Sequence, residues 1–349
     1  MAAANGGEPL TILISSPLEE EHVTRIRRHA PERFTVIHEP ELLGTPRYVA
    51  DHVGRPRVLT PEQEARWLSL LAKADILFDF ERKGAADLPR SAPRLRWVQA
   101  TSSGIGEFLQ RTGLDRSDIA FTTAAGVHAR PLAEFTLLGL LYFFRDVPQL
   151  AAMKARKHWE RYTVEGLDGK RVLVVGLGAV GREAARQCAS FGMDVWGTRR
   201  APGGDLPEGV TRWIAQGEIR AALPEVDALV LACPLTPETT LLIGAAEIAC
   251  MKRGSVLVNI ARGGVIDEVA LVGALADSHL RGAALDVFAV EPLPQDSPLW
   301  ELPNVIFSPH SASTVAAENS RIVDIFLDNL DRFAQGRPLR NLFDRTRGY

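Results

Sequence analysis

The 349-residue chain is too long for one ordinary hydrophobic core and suits two domains. Hydrophobic residues at 46% and charged residues at 24% are the proportions of a soluble globular protein. A net charge of −3 with a pI near 6.3 leaves no electrostatic footprint for nucleic acid or an anionic membrane.

The N-terminal stretch Met1–Pro9 has neither the basic region nor the apolar run of a secretory signal. No segment approaches the roughly 18 consecutive apolar residues of a membrane span, so a cytoplasmic location is expected. Leu10–Ile14 reads as the first strand, Glu19–Ala30 as a helix and Phe34–Ile37 as the next strand. Residues 39–61 are rich in Pro, Gly and Arg and carry no clear pattern. Thr60-Pro61-Glu62-Gln63 has the form of an N-cap with proline at the first helical position, opening a helix to about Ala72. Strands are expected at Ile76–Phe80 and Leu95–Gln99. Thr101–Gly106, between a strand end and a helix, reads on its own as an ordinary βα turn, although its small residues leave N–H groups open to an anion. Pro131–Val147 is a long helix with apolar residues on more than one face, either deeply buried or packed on a second subunit. The basic run Lys154–Arg161 after it is most simply a solvated face, in which Trp159 could cap a pocket or an interface.

The second half alternates strands (Val172–Val175, Asp194–Thr198, Ala228–Ala232, Ser255–Ile260, Ala283–Asp286, Val305–Phe307) with helical segments, the doubly wound α/β pattern. A last helix, Thr314–Phe333, follows. Cys188, Cys233 and Cys250 share no CxxC spacing and read as buried thiols of a reducing compartment, with no metal site.

Gly176-x-Gly178-x-x-Gly181 follows the apolar strand directly and precedes a helix-forming segment, Arg182–Phe191. In that context the loop predicts a dinucleotide site, with backbone from Gly176 through Ala179, Val180 and Gly181 around the pyrophosphate. An NAD-type ribose needs a carboxylate at the end of the second strand, roughly 20 residues past the glycines. Here the acid, Asp194, stands at the strand's beginning, and Thr198, Arg199 and Arg200 occupy its end. A guanidinium pair with no nearby acid attracts a 2′-phosphate, so NADP(H) is expected over NAD(H), which stays possible.

Arg262, Asp286, Glu291 and His310 fall at or just past the ends of later strands, where a doubly wound sheet places its ligands. A histidine donates a proton near neutral pH, a neighbouring carboxylate favours its charged form, and an arginine fork binds a carboxylate. Taken singly, each residue also has an ordinary structural reading: surface charge, strand-end cap, turn residue, satisfied histidine.

Taken in order, Gly176–Gly181, Ala232-Cys-Pro-Leu-Thr-Pro-Glu-Thr239, Asn259-Ile-Ala-Arg-Gly-Gly264, Leu285-Asp-Val-Phe288 with Glu291-Pro292, and Pro309-His310 give the chain a specific likeness. It resembles the D-isomer-specific 2-hydroxyacid dehydrogenases, in particular the glyoxylate/hydroxypyruvate reductase branch. The likeness runs from about Trp97 to Ser313; residues 1 to 90 share only the strand–helix rhythm.

The resemblance implies an α/β fold of two doubly wound parallel-sheet domains, a Rossmann dinucleotide-binding domain (126–313) inserted in a flavodoxin-like substrate domain (1–125 and 314–349), with the active site in the cleft between them. It implies that Arg262 binds the substrate carboxylate, that His310 is the acid/base paired with Glu291, and that Asp286 holds the nicotinamide carboxamide. It further implies backbone donors to the same carboxylate from Ser102, Ser103 and Gly104. Cys233, Pro234 and Thr239 would line the adenosine side, and Ile260, Ala261 and His310 would also meet the cofactor. The partners implied are a small 2-oxo or 2-hydroxy acid and a second copy, through the Rossmann domain and the 131–147 helix. Phe80-Glu81-Arg82, on the loop expected to meet the substrate's side chain, follows no usable pattern. A dinucleotide-sensing, corepressor-like binding protein and a phosphite oxidase stay open on these residues, whereas Glu291 argues against the formate branch, whose members carry glutamine there.

Overall fold

The computed structural model describes residues 9–348 apart from Arg82, residues 200–203 and the side chain of Arg199. The chain divides into two compact units, residues 1–128 with 314–349, and residues 129–313.

The first unit runs β1 (Leu10–Ile14), α1 (Glu20–Arg28), β2 (Phe34–Ile37), α2 (Pro61–Leu71), β3 (Ile76–Phe78), α3 (Leu88–Ser91), β4 (Trp97–Gln99), α4 (Gly106–Thr112) and β5 (Ala120–Thr122). Its five strands form one parallel sheet in the order β2-β1-β3-β4-β5. Ile12, Leu13 and Ile14 are fully buried, as strands covered on both faces require. At the start of α2 the Thr60 hydroxyl accepts from Gln63 N–H at 3.3 Å while the Gln63 side chain accepts from Thr60 N–H at 3.0 Å, a complete capping box.

Three expectations need correction in this unit. The strand from Ile76 ends at Phe78, because Asp79 turns into the left-handed region with φ 68°. The strand expected from Leu95 starts at Trp97. β5 was not expected at all: only Phe121 marks it, and its place is secured by polar bonds, Trp97 Nε1 donating to Thr122 Oγ1 and Thr122 Oγ1 to Gln99 Oε1, each at 2.8 Å. The hydrogen bonds between these buried polar groups offset the cost of taking them out of water. The unassigned stretch 39–61 contains a compact loop, pinched by the Thr45–Arg55 bridge and organised by Asp51, which takes the Arg47 guanidinium at 2.7 and 3.0 Å and the N–H of Gly54 at 3.0 Å.

The second unit runs α5 (Ala129–Phe144), α6 (Val147–Ala155), β6 (Arg171–Val175), α7 (Ala179–Ser190), β7 (Asp194–Arg199), β8 (Val210–Ala215), α8 (Ile219–Ala222), β9 (Ala228–Leu231), α9 (Ala245–Cys250), β10 (Val256–Asn259), α10 (Glu268–Ala276), β11 (Gly282–Leu285) and β12 (Val305–Phe307). The strands form a seven-stranded sheet, β12-β11-β10-β9-β6-β7-β8, parallel throughout. The helix expected over 131–147 ends at Phe144, and a second helix starts at Val147. The break lies where Asp146 adopts φ 53° and Pro148 sets the first turn of α6. Helix α7 begins at Ala179, three residues before the expected Arg182, since the glycine loop supplies its first turn. β8 is an edge strand with Thr211 and Arg212 exposed, so it lacks the apolar run that marks the inner strands.

The last helix, α11 (Glu318–Ala334), belongs to the first unit and starts four residues later than the expected Thr314. Its Ile322, Phe326 and Leu330 are fully buried, with the Phe326 ring 5.2 Å from Phe78 and 5.3 Å from Trp97. Among the described residues no helix is long and apolar enough to cross a membrane.

Candidate active site

Strand β6 ends at Val175 and delivers the glycine loop to the sheet's C-terminal edge. Gly176 has φ +95°, and a Cβ there would lie 2.6 Å from Cys233 Cα. A Cβ on Gly181 would lie 1.9 Å from the Gly176 carbonyl oxygen, so neither position accepts a side chain. A Cβ on Gly178 would meet nothing within 4 Å. That open space sits at the N-terminus of the twelve-residue helix α7, where the first N–H groups have no intrahelical acceptor. The loop therefore fits a pyrophosphate.

Around the loop, the Thr198 hydroxyl accepts from Gly176 N–H at 2.9 Å and props the turn. Asp194 stands at the far end of β7, bound to Arg171 Nε at 2.9 Å and Trp196 Nε1 at 3.2 Å, so its carboxylate is engaged away from the glycines. The Arg199 side chain and Arg200 lie outside the described residues. Cys233 is buried against Gly176, and burial pushes its thiol up to about 11. Thr239 is also buried. Its hydroxyl donates to Pro234 O at 2.7 Å and accepts from Thr236 N–H at 2.8 Å, shaping the loop on which Pro234 is exposed.

The chemistry-bearing side chains meet further along the same edge. β10 ends at the fully buried Asn259, whose amide donates to Arg262 O at 3.2 Å and accepts from Ala261 N–H at 3.0 Å. This clamp fixes Ile260, Ala261 and Arg262. Nothing in the sequence Asn259-Ile-Ala-Arg-Gly-Gly264 marks Asn259 for this role. Arg262 Nη1 donates to Ala261 O at 2.7 Å, and among the described residues no carboxylate pairs with it. The charge is left available.

Gly263 ties this loop to the next one: a Cβ there would fall 1.9 Å from the Phe288 carbonyl. On that second loop Glu291 Oε1 accepts from Phe288 N–H at 3.0 Å, which points Oε2 at His310 Nδ1, 2.8 Å away. His310 N–H donates to Asp286 O and Ser308 O, each at 2.9 Å. The His310 backbone sits in the left-handed region, φ 52°, a conformation that costs about 1 kcal/mol or more and concentrates at functional sites. With Nδ1 facing a carboxylate, Nδ1 carries a proton and Nε2 is presented outward on a side chain 44% exposed. Asp286 is buried, accepts from Ala312 N–H at 2.9 Å, and burial pushes its carboxyl up. Arg262, Asp286, Glu291 and His310 thus lie on loops that touch or hydrogen-bond one another. Among the described residues no cluster of His, Cys, Asp and Glu is arranged to hold a metal.

In the first unit, Ser102 and Gly104 are exposed and Ser103 is half-buried. Ala124 N–H donates to Ser102 O at 3.0 Å, and Ser103 Oγ lies 3.2 Å from His128 Nδ1. The expectation for Phe80 and Glu81 is corrected, because both turn inward. Phe80 stacks on Phe121 at 5.8 Å, and Glu81 accepts from Trp67 Nε1 at 2.7 Å and from Lys83 N–H at 2.8 Å. Arg82 lies outside the described residues. Trp159 is 96% exposed.

The model of the D-isomer specific 2-hydroxyacid dehydrogenase family, NAD binding domain, matches residues 137–312. The D-3-phosphoglycerate dehydrogenase of Methanocaldococcus jannaschii is 30% identical over 297 residues, 84% of this chain but 56% of its own length, so the chain spans little more than half of that relative. The glyoxylate reductase of Korarchaeum cryptofilum is 32% identical over 268 residues, 74% of this chain and 79% of the relative. Among solved structures, the NADPH-dependent glyoxylate/hydroxypyruvate reductase of Sinorhizobium meliloti, in complex with NADP and sulfate, is similar with a TM-score of 0.76 and 26% identity, covering 97% of this chain and 100% of that one.

Proposed function

The chain belongs to the D-isomer-specific 2-hydroxyacid dehydrogenases, a family of NAD(P)-dependent oxidoreductases, and we propose that it reduces a small 2-oxo acid such as glyoxylate or hydroxypyruvate to the D-2-hydroxy acid with NADPH as preferred donor. The observation that carries this reading is the 2.8 Å Glu291–His310 pair beside an arginine with no carboxylate partner among the described residues.

A reduced nicotinamide held at this site would supply the hydride, and negative charge would develop on the carbonyl oxygen of the substrate. His310 answers that charge by delivering the proton on Nε2, and the Glu291 carboxylate steadies the imidazolium until transfer. Arg262, held by Asn259 from behind, binds the substrate carboxylate through its fork and draws on the carbonyl oxygen. Gly176, Gly178, Ala179, Val180 and Gly181 hold the pyrophosphate, Asp286 takes the carboxamide, and Ile260, Ala261, Cys233, Pro234 and Thr239 line the rest of the cofactor's path. The turn Ser102–Gly104 offers its N–H groups to the substrate carboxylate. A second copy is proposed to pack on the second unit, where Leu138 of α5 and Leu150 of α6 are each about half exposed.

The preference for NADPH rests on the sequence Thr198-Arg199-Arg200, of which Thr198 and Arg199 end β7, with Asp194 engaged at the other end. The NADPH dependence of the Sinorhizobium enzyme supports it. Steady-state rates with NADPH and NADH over glyoxylate, hydroxypyruvate, pyruvate and bulkier 2-oxo acids test the reading. Turnover with a small 2-oxo acid, faster with NADPH, is expected; no oxidation of either cofactor with any acid would overturn it. Arg200→Ala is expected to lower kcat/KM for NADPH at least tenfold, the order of a charged hydrogen bond, and to leave NADH unaffected.

A further inference from the structure

The first unit holds a second histidine–carboxylate pair, Glu318 with His128. Glu318, at the start of α11, is 5% exposed, and its Oε1 faces His128 Nε2 at 3.2 Å and His52 Nε2 at 3.4 Å. His128 Nδ1 in turn lies 3.2 Å from the hydroxyl of Ser103, in the turn proposed to bind the substrate carboxylate. Burial raises the Glu318 carboxyl, but the hydrogen bonds and charges of His128 and His52 outweigh it and hold the group down at about 2. Glu318 is therefore an anion at every pH where an enzyme works. Its second oxygen, Oε2, is buried and has no hydrogen-bond partner among the described residues.

That anion decides what the serine can do. In neutral His128 the proton sits on Nε2 and is donated to Glu318, so Nδ1 is an acceptor and takes the Ser103 O–H. In protonated His128 both ring nitrogens donate, Nδ1–H points at Ser103 Oγ, and the serine proton is released to face outward. One proton on the imidazole thus switches Ser103 from a donor occupied by histidine to a donor free for a carboxylate.

We infer that His128, held by Glu318, is a positioning residue that makes substrate affinity proton-linked through the Ser103 hydroxyl, independently of His310. This rests on the reading of Ser102–Gly104 as a substrate-carboxylate site. Two titratable groups face the imidazole network: Glu318 from α11, and His52 from the 45–58 loop through the same carboxylate oxygen. Behind them, Glu19 accepts from Asn319 at 2.6 Å and from Ala50 N–H at 3.2 Å, and Asp51 is engaged by Arg47.

The test is KM and kcat for glyoxylate at saturating NADPH from pH 6 to 9, in wild type, Ser103→Ala, His128→Gln and Glu318→Gln. His310 is unchanged in all four proteins, so its contribution is common to them. At the acid end, Ser103→Ala should raise KM roughly tenfold, the size of a hydrogen bond to a charged group, and at the alkaline end by less than about twofold, because a neutral imidazole takes the wild-type hydroxyl. His128→Gln should flatten the same pH dependence. Glu318→Gln should weaken the pH dependence, since the anion that fixes the imidazole in place is gone. Ser103→Ala changes one half-buried hydroxyl and keeps the test informative if either deeper variant fails to fold. A KM–pH curve that rises alike in wild type, Ser103→Ala and His128→Gln overturns the inference. Absence of turnover in wild type would instead overturn the proposed reaction.

Discussion

Two pairs of the same chemistry, Glu291–His310 and Glu318–His128, sit in different surroundings. The first spans 2.8 Å with its side chains 35% and 44% exposed; the second spans 3.2 Å with 7% and 12% exposed. In the first, Glu291 is fixed from one side by Phe288 N–H, and His310 turns its free nitrogen outward. In the second, both imidazole nitrogens face protein groups, and the carboxylate is shared with another histidine. Exposure lets a histidine exchange protons with a substrate. Burial makes the same pair a fixed element of structure that can act only through a neighbour.

Substitutions can break that contrast, and the largest effect is expected at the exposed pair. His310→Ala should lower kcat by roughly two to four orders of magnitude, the range for a positioned general acid, while NADPH affinity measured by fluorescence titration stays close to wild type. An equal loss of cofactor affinity would make His310 a structural residue like its buried counterpart. Next comes the buried pair, read through stability. Glu318 is held at about 2 against an ordinary 4.5, so its contribution is complete above about pH 4.5 and fades as pH falls toward 2. By linkage a shift of this size corresponds to about 3 kcal/mol at neutral pH. Urea midpoints should therefore drop for Glu318→Gln at pH 7 and converge with wild type near pH 2; parallel curves across that window would remove the buried role. The smallest effect is Glu291→Gln, which keeps a hydrogen bond but loses the charge. It should lower kcat about tenfold and leave the unfolding free energy from urea titration at neutral pH within roughly 0.5 kcal/mol of wild type, as an exposed pair allows.

How far the sequence disclosed these sites follows from how local their signals are. The glycine loop and the strands around it were legible because an apolar run, a Gly176-x-Gly178-x-x-Gly181 turn and a helix stand side by side. Arg262, Asp286, Glu291 and His310 stood out at recurring strand ends, but taken singly each had an ordinary structural reading, and their roles came only from the family resemblance. β5 and β8 escaped because one is three residues long and held by polar bonds, and the other is an edge with exposed Thr211 and Arg212. The break between α5 and α6 had a local sign in Asp146-Val-Pro148, overridden by the apolar run before it. His128 and Glu318 are 190 residues apart, and Trp67 and Glu81 meet only through a folded core. No periodicity or spacing points from one partner to the other.

The central claim is that His310 delivers the proton as the hydride arrives. Pre-steady-state NADPH oxidation with glyoxylate, followed from pH 6 to 9 in wild type and His310→Ala at saturating cofactor, tests it most directly. The rate in wild type should fall at high pH because the reaction takes up a proton, and the slow residual rate of the variant should lack that limb. A variant that keeps both the wild-type rate and its fall at high pH would contradict the account.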